Sequence, residues 1–172
     1  MNKPGPLAVS ACLAGVCCRY DGGSKPHSVV QELIARGEDV VLICPEELGG
    51  LGTPRPRAAL DGGDGEAVWQ GRARVVDEHG KDVTEAFCQG ARAALERAVE
   101  VGARQAVLKQ HSPSCGCHSS RQGGDGVTAA LFRRHGISLC TEDDLLVPKS
   151  LDGIEAGGLH GRVEAEEDPH QH

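Results

Sequence analysis

The 172-residue chain carries 18 basic against 25 acidic side chains, a net charge of −7 at pH 7, so it offers no basic field to hold a nucleic-acid backbone. Its length predicts one domain with a real core; with aromatic residues at 2%, that core is aliphatic and no base-stacking platform is at hand. The opening stretch MNKPGPLAVSACLAGVCC is too short and too interrupted for a secretory signal or a membrane span. A cytoplasmic location is expected, and there eight cysteines point to metal binding or catalysis rather than to a disulfide framework.

In chain order, PLAVSAC is a short apolar run ending at Cys12. SVVQELIARG follows as a helix, with Ser28 and Gln31 at capping-box spacing and Gly37 as its stop. DVVLICPE reads as a buried strand broken at Pro45 just after Cys44. Leu48 to Asp64 is rich in Gly, Pro and Arg without a period, so a long loop is predicted, and long loops in compact domains tend to carry function. EAVWQGRARVVDEHG reads as two short strands around Gly71, a hairpin insertion.

DVTEAFCQGARAALERAVEVG is the longest helical pattern, with Asp82 and Glu85 at capping-box spacing and Phe87, Ala91, Leu95 and Val99 on a stripe. QAVLK is a further strand, DGVTAALFRRHG a helix stopped by Gly136, and ISLC a last strand. The tail from Ser150 has several acids, four Gly and His160, His170 and His172, without a period; it reads as a solvated tail rather than a metal tract. The expected organisation is one α/β domain over residues 1–149, a Rossmann-like three-layer fold with a mostly parallel sheet and a small hairpin insertion, followed by an acidic, His-containing tail over 150–172.

In a parallel sheet the carboxyl ends of the strands share one edge, and ligands bind there. Cys12, Cys44 and Cys115 each fall at or just beyond such an end, so they are expected to converge. Any one of them alone reads as a small buried hydrophobe; three at one edge read as a soft-metal set, zinc or an iron–sulfur cluster, which the spacing does not separate. Cys17, Cys18 and Cys117 are further candidates for a ligand, a sulfur carrier or a redox thiol, while Cys88 and Cys140 read as structural.

Three segments, SACLAGVCCRYDGGSK, CPEELGGLGTPRP and LKQHSPSCG, together resemble the thiouracil desulfurase family, with support from GKDVTEAFCQGA and GDGVTAALFRRHGI, so that the resemblance spans roughly residues 8 to 145. It implies a 4Fe-4S cluster held by three cysteines, which map onto Cys12, Cys44 and Cys115, and a fourth, open iron that binds the sulfur of a thiolated pyrimidine. It also implies hydrolytic, non-redox release of sulfide, with Glu46 and Ser112 in the positions of the family's functional acid and serine. Ser10, Tyr20 and Asp21 are candidate substrate contacts, although Asp21 before two glycines is also ordinary turn chemistry. Arg55 and Arg57 could answer buried carboxylates or touch substrate.

The chain departs from the family's pattern at Ala59, where an acid is usual, and in the short CHSSRQG link after the third cysteine. The implied partner is a small thiolated nucleobase or nucleoside rather than RNA or a membrane, and the oligomeric state is open between monomer and homodimer. Two alternatives stand beside this reading: a zinc hydrolase using the same thiolates, and a non-enzymatic iron–sulfur sensor or sulfur carrier.

Overall fold

The computed structural model describes residues 5–117 and 124–145, so the tail from Ser150 with its histidines and most of the short link after Cys117 lie outside the described residues. Four strands form a parallel sheet: β1 (Leu7–Ser10), β2 (Val40–Ile43), β5 (Gln105–Leu108) and β6 (Ser138–Thr141), in the order β2-β1-β5-β6. Register is set by Leu7 opposite both Val40 and Gln105, and by Gln105 opposite Ser138. The strands alternate as a sheet covered on both faces requires. Ala8, Ala106 and Leu108 meet α4 (Thr84–Glu100) and α5 (Val127–Arg134) on one face. Val9, Val107 and Cys140 meet Val30 of α1 (Ser28–Ala35) on the other. The expected three-layer α/β arrangement is what is observed.

The predicted capping boxes do not form. Helix α1 has His27 at its N-cap without a side-chain cap bond. Helix α4 starts one residue later than its box requires, and Asp82 instead accepts the Thr84 N–H at 2.9 Å. The buried stripe of α4 runs through Phe87, Ala91, Ala94 and Ala98 and leaves Val99 exposed, because a straight helix with 3.6 residues per turn drifts off a strict i, i+4 row.

The hairpin insertion exists with a different first strand. β3 (Ala58–Asp61), inside the predicted long loop, pairs antiparallel with β4 (Arg74–Asp77). Residues read as the hairpin's first strand form a one-turn helix, α3 (Gly65–Trp69). The local reason is polar: Asp64 caps it by accepting the Ala67 N–H at 2.9 Å, and Trp69 Nε1 donates to the Val127 carbonyl at 2.8 Å. Val68, Val75, Phe87 and Leu131 close a second small core beneath this insertion.

Candidate functional site

A cavity of about 700 Å³ opens where the strand ends gather, and Cys12, Cys44, Cys115, Glu46, Ser112, Ser10 and Tyr20 all line it. Three local devices deliver the thiols. After Ser10 the chain turns through a short 3-10 turn, Ala11–Ala14, which carries Cys12 and is closed by Gly15 at φ 94°. Cys44 follows β2 directly and occupies the N-cap of the four-residue helix α2 (Pro45–Leu48), with Pro45 in the first-turn position that tolerates its missing N–H. Cys115 follows β5 through a tight turn in which the Ser112 hydroxyl oxygen accepts the N–H groups of Ser114 and Cys115 at 3.2 and 3.0 Å. His111, just before that turn, holds φ 60°, a left-handed conformation that is uncommon without glycine.

A fourth thiol joins them. Cys18, only 2% exposed, lines the same cavity; its carbonyl oxygen accepts from the Cys44 thiol at 3.6 Å, and its own thiol lies beside those of Cys12 and Cys44. The contact with Cys12 and then burial push the Cys18 thiol up to about 11. The Cys44 thiol is also raised, first by its bond to Cys18 and then by burial. Burial pushes Cys115 up to about 12, partly offset by the Ser10 hydroxyl. Each group is thus held as a neutral thiol, and proton release must accompany binding of any metal that takes thiolates. Among the described residues no three His, Cys, Asp or Glu side chains are drawn together as a set for one metal ion.

Glu46, in the first turn of α2, makes an ion pair with Arg55 at 2.8 Å. Ser10 is nearly fully buried, and its hydroxyl oxygen accepts the Lys109 N–H at 2.9 Å. The turn carrying Ser112 is braced from the short 3-10 turn that follows β6: Glu142 accepts the Gln110 N–H at 2.7 Å and pairs with Lys109 Nζ at 2.7 Å. The Tyr20 ring lies at the cavity wall with the guanidiniums of Arg19 and Arg57 at 5.6 and 5.9 Å from its centroid. Asp21 does not line the cavity. It accepts the Gly23 N–H at 2.9 Å and faces Arg19, which is the turn role its sequence context also allows.

Cys17 is exposed, Cys117 and Cys140 are buried in the core, and none of the three lines the cavity. The sequence names Cys18 and Arg55 without giving them a place, and it carries no signal for the Glu142 brace, which depends on how β6 lies beside β5.

An α/β sheet whose strand ends bring soft thiol donors, a carboxylate and a hydroxyl to one cavity defines an enzyme centre of the sulfur- or metal-handling kind. Residues 7–144 match the 2-thiouracil desulfurase family. YbbK of Bacillus subtilis (strain 168), described as an uncharacterized protein, is 40% identical over 147 residues, which is 81% of this chain and 97% of YbbK. A solved structure of a 4Fe-4S-dependent thiouracil desulfidase, TudS, superimposes with a TM-score of 0.68 at 42% identity, covering 83% of this chain and 93% of that one. The chain belongs to the 2-thiouracil desulfurase family, whose reaction class is cleavage of a carbon–sulfur bond.

Proposed function

We propose that the protein hydrolyses the carbon–sulfur bond of a small thiolated pyrimidine, 2- or 4-thiouracil or a related nucleoside, giving the oxygen analogue and sulfide. The observation that carries this reading is that Cys12, Cys44, Cys115, Glu46 and Ser112 line one cavity, of a volume that suits a small ligand with its cofactor. Cys12, Cys44 and Cys115 would hold an iron–sulfur cluster, leaving one iron without a protein ligand. The donor set fits such a group: its members are thiols, soft donors suited to iron–sulfur chemistry, and they stand around a space rather than about a single ion. When bound, the cluster supplies an electrophilic iron that withdraws electron density from a thiocarbonyl carbon.

The chain's own groups do the proton work. One Glu46 oxygen, Oε2, is held by Arg55, and the carboxylate is suited to take a proton from the attacking water. The Ser112 oxygen already accepts two backbone N–H groups, so its own proton is free to be donated into the cavity. Tyr20 lines the wall beside the two guanidiniums, and the Ser10 hydroxyl faces the Cys115 thiol. Residues 1–149 form the desulfurase unit on this reading and 150–172 an appendage. With eight free cysteines the chain suits a reducing compartment, and no described helix is long and apolar enough to cross a membrane.

The test is anaerobic reconstitution with iron and sulfide, followed by iron and sulfide analysis and a turnover assay with 2- and 4-thiouracil. Multiple turnovers to uracil and sulfide are expected. Zinc without acid-labile sulfide in the purified protein, or no turnover with a full cluster, would sink the proposal.

A further inference from the structure

Arg55 enters the site from a Gly- and Pro-rich loop that has no regular period, yet its side chain is only 4% exposed. Its Nη2 donates to two acceptors at once, Glu46 Oε2 and the carbonyl oxygen of Cys18, both at 2.8 Å. Nη1 donates to Thr53 Oγ1 at 3.0 Å and to the Gly52 carbonyl at 3.2 Å, so the guanidinium plane is pinned from its own loop. The Arg55 backbone N–H donates to the Tyr20 carbonyl at 2.8 Å. One residue therefore ties the carboxylate of Glu46 to the segment that carries Cys18 and Tyr20.

Stability alone does not account for this arrangement. Arg55 Nε is buried without a partner, which carries a desolvation cost, and a buried ion pair is weak support for a fold because both charges have left water. The pair does have a geometric effect. Glu46 Oε2 is engaged, while Oε1 has no hydrogen-bond partner among the described residues and is not sealed from solvent. A carboxylate fixed through one oxygen presents the other in a set direction. A planar guanidinium held through both of its Nη groups can keep that direction, and the single ammonium point of a lysine cannot.

We propose that Arg55 is the positioning residue for Glu46: it anchors one carboxylate oxygen to the Cys18 segment so that the other is aimed, at a fixed offset from the thiols, at the water that attacks the substrate carbon. This rests on the desulfurase reading for the identity of the reaction, but not for the geometry. The kinetic test compares wild type, Arg55→Ala, Arg55→Lys, Glu46→Gln and the Arg55→Ala/Glu46→Gln pair, each reconstituted to the same iron content, with 4-thiouracil as the probe. Arg55→Ala is expected to lower kcat about 100-fold, the scale of a misplaced catalytic group, with KM nearly unchanged, and Arg55→Lys to recover only part of it. In the Glu46→Gln background the same change is expected to cost little, because there is no carboxylate left to aim.

An equal loss in both backgrounds overturns the proposal, as does full activity of Arg55→Lys. A crystal structure of Arg55→Ala, or of Arg55→Lys should the alanine variant not fold, gives a readout that needs no turnover. Glu46 is expected to leave its wild-type rotamer, and an unmoved Glu46 overturns the inference. Wild-type protein that is inert to thiolated pyrimidines with a full cluster would instead remove the desulfurase reading, and the crystal structure would still decide the role of Arg55.

Discussion

Glu46 and Ser112 reach the cavity from different elements, one on the helix that follows Cys44, the other in the turn that delivers Cys115. Their losses are expected to differ in kind. Glu46→Gln keeps the shape of the side chain and removes the proton acceptor, so kcat is expected to fall about 10²- to 10⁴-fold, the usual worth of a general base, with iron content unchanged by chemical analysis. Ser112→Ala strips the acceptor from two backbone N–H groups as well as the donor from the cavity. Beyond its loss of activity, it is expected to lower the stability of the metal-free protein by about 1 kcal/mol, measured by denaturant unfolding. Glu46→Gln also takes the counter-charge from the buried Arg55 guanidinium, so it too is expected to lose stability; a Glu46→Gln variant that keeps wild-type kcat would contradict the role given to the carboxylate.

At the scale of elements, the position of Glu46 depends on two helices that touch backbone to backbone. A methyl group on Gly90 of α4 would lie 1.8 Å from the Pro45 carbonyl oxygen, and one on Gly49, just after α2, would lie 2.0 Å from the Ala86 carbonyl oxygen. Glycine in mid-helix costs about 1 kcal/mol of propensity against alanine, so Gly90→Ala would stabilise an isolated α4. In the folded protein it is expected to do the reverse, by about 1–3 kcal/mol through overpacking, and to shift α2 together with Cys44 and Glu46. Thermal unfolding and iron binding of Gly90→Ala measure the two effects, and a variant as stable as wild type with full iron uptake would show that the contact yields.

What the sequence reveals follows the same division. Cys12, Cys44 and Cys115 are legible because strand period and parallel topology suffice to bring strand ends together. Cys18 and Arg55 are not, because each reaches the cavity through a turn or loop whose path is set by tertiary hydrogen bonds such as Arg55 to the Cys18 carbonyl. α3 is misread for a related reason: its five residues have too few turns to show a helical period, and its cap and its Trp69 bond to α5 decide the conformation.

Across the whole molecule, the buried thiols outside the cavity make stability depend on alkaline pH. Burial is the first cause that pushes Cys140 up to about 12 and Cys117 up to about 11, from an ordinary value of 9.0. Well below pH 9 both are protonated whether the chain is folded or not. Between 9 and about 12 the unfolded chain gives up these protons while the folded one keeps them, so the unfolded state gains and stability falls as pH rises. Denaturant midpoints of the metal-free, reduced protein are expected to drop between pH 8 and 10.5, and Cys140→Ala is expected to flatten that slope. An unchanged slope in the variant would assign the alkaline loss elsewhere.

The strand order β2-β1-β5-β6 also sets a schedule. β5 lies directly beside β1 although α1, β2, the hairpin insertion and the long α4 are all made between them. A chain emerging from the ribosome thus exposes Cys12, Cys18 and Cys44 well before the turn that brings Cys115 has been synthesised. The cavity exists only once β5 has inserted beside β1. The thiol set is therefore incomplete in any chain that ends before Cys115. For this molecule the order of synthesis matters, because Cys115 is the last of the four cavity thiols to be made.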